Sequence, residues 1–183
     1  MATPWQYALG VELTTKIIIV APPGVGKSRV IVCAAHTKQL EDPYIVLPNL
    51  YVLNRDKKFY ETISSNLITI EEFVSSHIGK LNTYIFDEID QLIFDKSLTI
   101  KQLCIVADMD ICGVTATASF ECGMATIEDK FLDKLGFKVK KYFEGHKKNE
   151  YVNALPEQSV EYNKSPKIFI RDSNITHTLK DFA

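Results

Sequence analysis

A glycine-containing turn is the part of the sequence best suited to chemistry. It reads Ala21-Pro-Pro-Gly-Val-Gly-Lys-Ser28 and lies between a predicted strand and a predicted helix. In such a turn, consecutive backbone N–H groups face inward and surround an anion, and the positive end of the helix points at the same place. Lys27 can then reach the β- and γ-phosphates of a nucleotide, and the Ser28 hydroxyl can bind Mg²⁺. The residues predicted to contact the nucleotide are Pro23, Gly24, Val25, Gly26, Lys27, Ser28 and Arg29.

The turn departs at one position from the G-x-x-x-x-G-K-[ST] pattern, because Ala21 stands where the first glycine is usual. Gly24 and Gly26 occupy the positions where the backbone must come closest to phosphate, so the departure is tolerable. The alternative interpretation is an ordinary strand-to-helix turn whose lysine is solvated.

Two adjacent carboxylates, Asp87 and Glu88, follow a predicted strand over residues 83–86. Mg²⁺ prefers few carboxylates and several waters, so Asp87 and Ser28 suffice as its protein ligands. Glu88 can orient and deprotonate an attacking water. We therefore expect Lys27, Asp87 and Glu88 to be the catalytic groups, brought together at the ends of two adjacent strands. The alternative is that the two acids cap the following helix and face solvent.

The elements that must position these residues alternate between strand and helix up to Phe143. Helical crossovers between strands imply a mostly parallel sheet covered on both faces, and hence a three-layer α/β domain. The predicted strands are residues 16–21, 44–47, 67–70, 83–86, 111–115 and 138–143. Predicted helices include residues 27–36, 51–63, 100–106 and 125–135. Near the end of the sequence, residues 167–170 predict a further strand, and Ile175, Leu179 and Phe182 predict the start of an amphipathic helix.

Length, composition and charge restrict the class of protein to which the sequence can belong. The 183 residues suffice for one domain with a sizeable core, and 46% hydrophobic with 24% charged residues excludes a disordered or fibrous chain. The formal net charge of -2 gives no support by itself to nucleic-acid binding. No apolar stretch approaches the roughly 20 residues of a membrane helix. The four cysteines are scattered, which argues against disulfides. We expect an intracellular, cytoplasmic protein without a membrane partner, which includes a viral or phage protein in its host cell.

The motif series resembles the superfamily 2 helicases and translocases, especially their first RecA-like motor domain. The glycine turn is similar to the family's motif I, and Asp87-Glu-Ile-Asp90 matches its D-E-x-D/H box. Thr115-Ala-Thr117 matches its S/T-A-T motif III. Leu47-Pro-Asn49 falls at motif Ia, with asparagine where threonine is common, and Thr69 falls at motif Ib. The turn read with Thr115-Ala-Thr117 resembles the flaviviral type, and the series covers residues 16–117.

The resemblance implies a RecA-like P-loop NTPase fold and a role for each matched position. ATP would be the substrate, with Mg²⁺ held by Ser28 and Asp87. The partners would be a single-stranded track of DNA or RNA and a second RecA-like domain, in cis or in trans. The residues that would couple nucleotide state to the track are Asp90, Thr115 and Thr117. The residues that would lie along the phosphate backbone of the nucleic acid are Pro48, Asn49 and Thr69.

The same resemblance implies a domain organisation. Residues 1–145 would form the first motor domain, and residues 146–166 a linker. Residues 167–183 would begin a second domain or pack back on the first. Because the arginine finger of a second motor domain lies outside this sequence, we expect ATP binding with slow hydrolysis by the chain alone.

The N-terminal segment offers candidates for contact with the base. No clear adenine-reading glutamine motif precedes the glycine turn, and Gln6 beside Trp5 is the candidate. Trp5 and Tyr7 could stack on a base, although we expect them to cover the edge of the sheet.

Three other functions stay open. The first is a P-loop nucleotide kinase, although Arg29, Arg55 and Arg171 are the only arginines and form no lid cluster. The second is a ring-forming or packaging ATPase that takes its arginine from a neighbouring subunit. The third is a nucleotide-gated binding module without enzymatic activity. The favoured function is that of an ATP-hydrolysing motor domain of a superfamily 2-like helicase or nucleic-acid translocase.

Overall fold

A parallel six-stranded sheet forms the centre of the fold. The computed structural model describes residues 2–40, 42–93, 98–116, 135–142, 169–171 and 176–178. The sheet strands are β1 (Ile17–Val20), β2 (Tyr44–Leu47), β3 (Leu67–Thr69), β4 (Thr83–Asp87), β5 (Asp110–Thr115) and β6 (Lys138–Lys141). Their order is β3-β2-β4-β5-β1-β6, and every neighbouring pair is parallel. The predicted α/β class with a parallel central sheet is confirmed.

Helices connect the strands and cover the sheet. They are α1 (Pro4–Glu12), α2 (Lys27–Thr37), α3 (Leu50–Tyr60), α4 (Ile70–Ser76), α5 (Asp90–Ile93) and α6 (Ile100–Ala107). Helix α1 has no counterpart among the predicted elements. Its start nevertheless carries a sequence signal, because Thr3 and Gln6 form a capping box and Pro4 occupies the first helical turn.

Alternating side chains of each strand feed two cores, one on either face of the sheet. In β1, Ile17 and Ile19 pack into one core, and Ile18 and Val20 into the other. All four residues are buried, which suits the uninterrupted β-branched sequence of this strand. The first core holds residues of α1, α2 and α3, and the second holds residues of α4 and α6. The domain therefore has three layers.

The C-terminal part of the sequence departs from one prediction. A separate two-stranded antiparallel sheet pairs β7 (Phe169–Arg171) with β8 (Thr176–Thr178). The amphipathic helix predicted from Ile175 is wrong over Thr176–Thr178, because two β-branched threonines there favour extended backbone. The predicted linker, and the predicted helix over 125–135 except for its last residue, lie outside the described residues.

Among the residues that the structure describes, no helix is both long enough and apolar enough to span a membrane.

Candidate nucleotide site

The glycine turn joins β1 to α2 at the carboxyl edge of the sheet. Gly24 and Gly26 have φ angles of +81° and +82°, in the left-handed region where glycine is favoured. Between them, the Val25 side chain is 1% exposed and packs into the core of the α1, α2 and α3 face. The turn is therefore anchored by one buried side chain, while Pro23 and Gly24 remain exposed.

Helix α2 begins directly at Lys27, with Gly26 as its N-cap. Because glycine has no side chain, it cannot satisfy the first N–H groups of the helix in the way that a serine or aspartate cap does. The N-terminus of α2 thus carries the partial positive charge and the backbone donors that an anion requires.

Gln6 of α1 contacts the glycine turn through hydrogen bonds to its backbone. Its side chain is 4% exposed, and Nε2 donates to the carbonyl oxygens of Val25 at 3.1 Å and Gly26 at 3.4 Å. Its Oε1 accepts from the backbone N–H of Thr3 at 2.8 Å. A Cβ at Gly26 would lie 2.4 Å from this Nε2, so glycine is also needed for the approach of Gln6. The candidate for the adenine-reading glutamine thus contacts the turn itself.

Lys27 folds back over the turn. Its Nζ donates to the carbonyl oxygens of Ala21 at 3.2 Å and Pro22 at 3.1 Å. Burial lowers the pKa of this lysine, and the charges of Glu88 and Asp87 oppose that effect. The ammonium group therefore lies in the electrostatic field of both acids.

The acidic pair lies at the end of β4, with Asp87 as its last residue, and its position corrects one prediction. Strand β4 is not adjacent to β1, because β5 lies between them. Val20 of β1 is level with Thr115 of β5, and Asp87 of β4 is level with Val114. The three strands consequently end at the same edge of the sheet. Although Asp87 lies two strands away, its charge still acts on the ammonium group of Lys27, because the lysine side chain is long.

Both carboxyl groups bind protons more tightly than usual. Burial raises the pKa of Asp87 from 3.8 to about 6, the charge of Glu88 adds to the increase, and Lys27 opposes it. Burial also raises the pKa of Glu88, with a further contribution from Asp90. The backbone of Glu88 has a φ of +55°, which is uncommon for a residue with a side chain.

Strand β5 connects the glycine turn to the acidic turn. The backbone N–H of Ala21 donates to the Thr115 carbonyl at 3.1 Å. The buried hydroxyl of Thr115 donates to Asp90 Oδ1 at 2.8 Å and lies 3.5 Å from Glu88 Oε2. Asp90, Thr115 and the acidic pair are thus brought together, while Thr117 lies outside the described residues.

The residues predicted to contact nucleic acid lie at the same edge of the sheet, where β2 and β3 end. Asn49 is exposed, and its Oδ1 caps α3 by accepting from Val52 N at 2.9 Å. The Thr69 hydroxyl caps α4 by accepting from Glu72 N at 3.2 Å. Both side chains therefore have local structural roles. Pro48 precedes Asn49 and is partly buried.

A cavity of about 360 Å³ lies along α2, from Arg29 to His36, between α1, α2 and α3. Tyr7 of α1 and Phe59 of α3 line it together with Arg29, which follows the glycine turn. Tyr7 is 45% exposed, whereas Trp5 is buried in the core. Phe59 was not among the predicted site residues, since no sequence signal brings α3 next to α1.

The donor set suits Mg²⁺ better than a softer metal. Ser28 and Asp87 offer a hydroxyl and a carboxylate, which are hard oxygen ligands. Within the ranges that the structure describes, no group of three His, Cys, Asp or Glu residues could form a metal cage. An ion at this edge would therefore need ligands from water and from phosphate as well.

The fold defines a class, the RecA-like α/β domains with a parallel sheet. Among solved structures, the chain is similar to the helicase domain of Hef from Pyrococcus furiosus, with a TM-score of 0.52 and 12% sequence identity. The similarity covers 76% of this chain and 37% of that one, so the chain spans little more than a third of the solved domain. At this identity the similarity shows a helicase-like fold alone. No protein-family model and no curated protein sequence matches the chain.

Proposed function

We propose that the chain binds ATP with Mg²⁺ and hydrolyses it as the first motor domain of a superfamily 2-like helicase or nucleic-acid translocase. The observation that carries the proposal is electrostatic. The half-buried Lys27 of the glycine turn interacts electrostatically with Asp87 and Glu88, two carboxyl groups whose pKa values are raised. The helicase-like fold supports the choice of motor class.

Each residue has a distinct task in the proposed reaction. Lys27 exchanges the carbonyls of Ala21 and Pro22 for the β- and γ-phosphate oxygens. Ser28 and Asp87 would hold Mg²⁺, which neutralises developing negative charge on the phosphates when bound. Glu88 accepts a proton from the attacking water, and its raised pKa suits a general base. The new bond joins water oxygen to the γ-phosphorus, the bond to the β–γ bridging oxygen breaks, and ADP and phosphate are released.

The cavity between α1, α2 and α3 is the proposed place for the base. Tyr7 and Phe59 give it aromatic walls, and Arg29 adds a cation that can stack on a ring. Because Arg29 directly follows Ser28, a base in this cavity and a triphosphate at the glycine turn would lie on neighbouring parts of α2.

Coupling to nucleic acid is proposed to run through β5. When γ-phosphate leaves, a shift of the Glu88 side chain would alter the hydrogen bonds that the Thr115 hydroxyl makes to Glu88 and to Asp90. Pro48, Asn49 and Thr69 would contact the nucleic-acid backbone at the same edge of the sheet, and Thr117 would belong to the coupling set.

A second RecA-like domain, in cis or in trans, is proposed to complete the nucleotide site. We keep the expected division into a motor domain over 1–145, a linker over 146–166 and a further element over 167–183.

Phosphate release tests the proposal. Glu88→Gln keeps the size of the side chain but removes the general base, so we expect retained ATP affinity and a loss of turnover of at least about 100-fold. Glu71→Gln, an exposed glutamate on α4, is the matched control and should turn over like wild type. Single-stranded RNA or DNA should stimulate wild type when a second motor domain is supplied.

Three results would point elsewhere. Unchanged turnover in Glu88→Gln would contradict the assigned base. Transfer of phosphate to a nucleotide acceptor would indicate a kinase, and a stable hexamer in size-exclusion chromatography would favour a ring-forming ATPase.

A further inference from the structure

Tyr60, the last residue of α3, carries a buried hydroxyl that packing does not explain. Its side chain is 0% exposed, and its hydroxyl has no hydrogen bond of good geometry within the described residues. Burying a hydroxyl without a partner costs free energy, so such groups in native proteins call for a specific reason. A phenylalanine would fill the same space without that cost.

The ring of Tyr60 is well accounted for by the core. It belongs to the cluster that contains Val25 of the glycine turn, Ile31 of α2, Leu47 of β2 and Ile85 of β4. The cluster therefore includes a buried residue of the glycine turn, Val25, and a residue of the strand that ends in Asp87, Ile85.

Two residues of the candidate site, Ser28 and Asp87, are among the polar groups that act on this hydroxyl. Burial raises the pKa of Tyr60 and the charge of Asp87 raises it further, whereas a hydrogen bond with Ser28 opposes these effects; Asp56 and Arg55 of α3 also contribute, with opposite signs. Ser28 and Asp87 are also the two side chains proposed above as ligands of Mg²⁺.

We propose that Tyr60 is a positioning residue for magnesium: when the ion binds, its hydroxyl donates to an oxygen of Ser28 or Asp87 and orients that ligand. This assignment rests on the proposed nucleotide-binding function. Groups in the outer shell of a metal site orient its direct ligands and affect metal affinity strongly, although they do not touch the ion.

The affinity for a non-hydrolysable ATP analogue, measured with Mg²⁺ and with EDTA, tests the assignment. In wild type, Mg²⁺ should strengthen binding. In Tyr60→Phe, this strengthening should fall about tenfold, while the affinity in EDTA stays unchanged. Tyr51→Phe removes a hydroxyl from the same helix at a side chain that is 75% exposed, and it should behave like wild type.

A double-mutant cycle separates positioning from a merely structural role. If Tyr60 acts through the metal ligands, Tyr60→Phe should have little further effect on the Mg²⁺ dependence in a Ser28→Ala background. In EDTA, thermal unfolding of Tyr60→Phe should occur at the wild-type temperature or above it, because without the ion the lost hydroxyl has no well-formed partner.

The outcomes distinguish this assignment from the function on which it rests. Wild type that fails to bind the analogue refutes the nucleotide site and the role of Tyr60 with it. Wild type that binds with Mg²⁺, beside a Tyr60→Phe variant with the same Mg²⁺ dependence, overturns the Tyr60 assignment alone. Additive effects in the cycle overturn it as well.

Discussion

Replacing Asp87 with asparagine should stabilise the protein, although it should abolish the proposed Mg²⁺ site. The pKa of Asp87 is raised to about 6 in the folded protein, from a usual 3.8. An acid with a raised pKa binds its proton more tightly when folded than when unfolded. Wild type should therefore lose stability as pH rises from the unfolded-state pKa of 3.8 to the folded-state pKa of about 6. The loss should persist at higher pH. Asparagine does not ionise and carries none of this cost.

The size of the effect follows from the two pKa values. A rise from 3.8 to about 6 corresponds to about 3 kcal/mol, at about 1.4 kcal/mol for each pKa unit. Asp87→Asn should thus exceed wild type in free energy of unfolding by up to about 3 kcal/mol at pH 8. The difference should shrink as pH falls and approach zero below about pH 3, where the wild-type carboxyl group is mostly protonated in both states.

Urea unfolding of both proteins at several pH values in EDTA measures this difference. Saturating Mg²⁺ and ATP analogue should then stabilise wild type by about 2.7 kcal/mol at 100 times the Kd, and should leave Asp87→Asn nearly unchanged. A stability difference that does not vary with pH, or a variant less stable than wild type at pH 8, would refute the reasoning.

Three further substitutions test other parts of the site. Gly113→Ala should lower the free energy of unfolding by about 1–3 kcal/mol in urea, since its Cβ would lie 2.7 Å from the Ile89 Cβ and 2.9 Å from the Phe86 carbonyl oxygen; wild-type stability would contradict this packing. Gly26→Ala should lower the melting temperature, because φ is +82° there and costs a residue with Cβ about 1–2 kcal/mol. Tyr7→Ala should weaken ATP binding about fivefold, from about 1 kcal/mol of lost stacking, and leave tripolyphosphate binding unchanged in competition assays. Equal losses for both ligands would place the base elsewhere.

Local features of the site could be predicted from sequence because their signals are local. The glycines of the turn, the β-branched run before it and the acids after β4 each specify backbone conformation or chemistry within a few residues. Together they predicted the α/β class and the parallel sheet, which the structure confirms. The roles of Lys27, Asp87 and Glu88 stay predictions.

Features that depend on tertiary packing could not be predicted in the same way. The insertion of β5 between β1 and β4 depends on how the sheet is assembled, and no short pattern encodes strand order. Gln6 lies 20 residues from Gly26 in sequence, yet its amide reaches the carbonyl of that glycine. The buried hydroxyl of Tyr60 looks in sequence like one more apolar position of an amphipathic helix.

Titration calorimetry with Mg²⁺ and a non-hydrolysable ATP analogue tests the nucleotide site most directly, on wild type, Lys27→Met and the exposed control Lys101→Met. Wild type and the control should bind one equivalent with equal affinity. Lys27→Met should bind about 10- to 100-fold more weakly, since hydrogen bonds to a charged group contribute about 1.5–3 kcal/mol. Equal affinity in all three proteins would show that Lys27 does not hold a nucleotide phosphate.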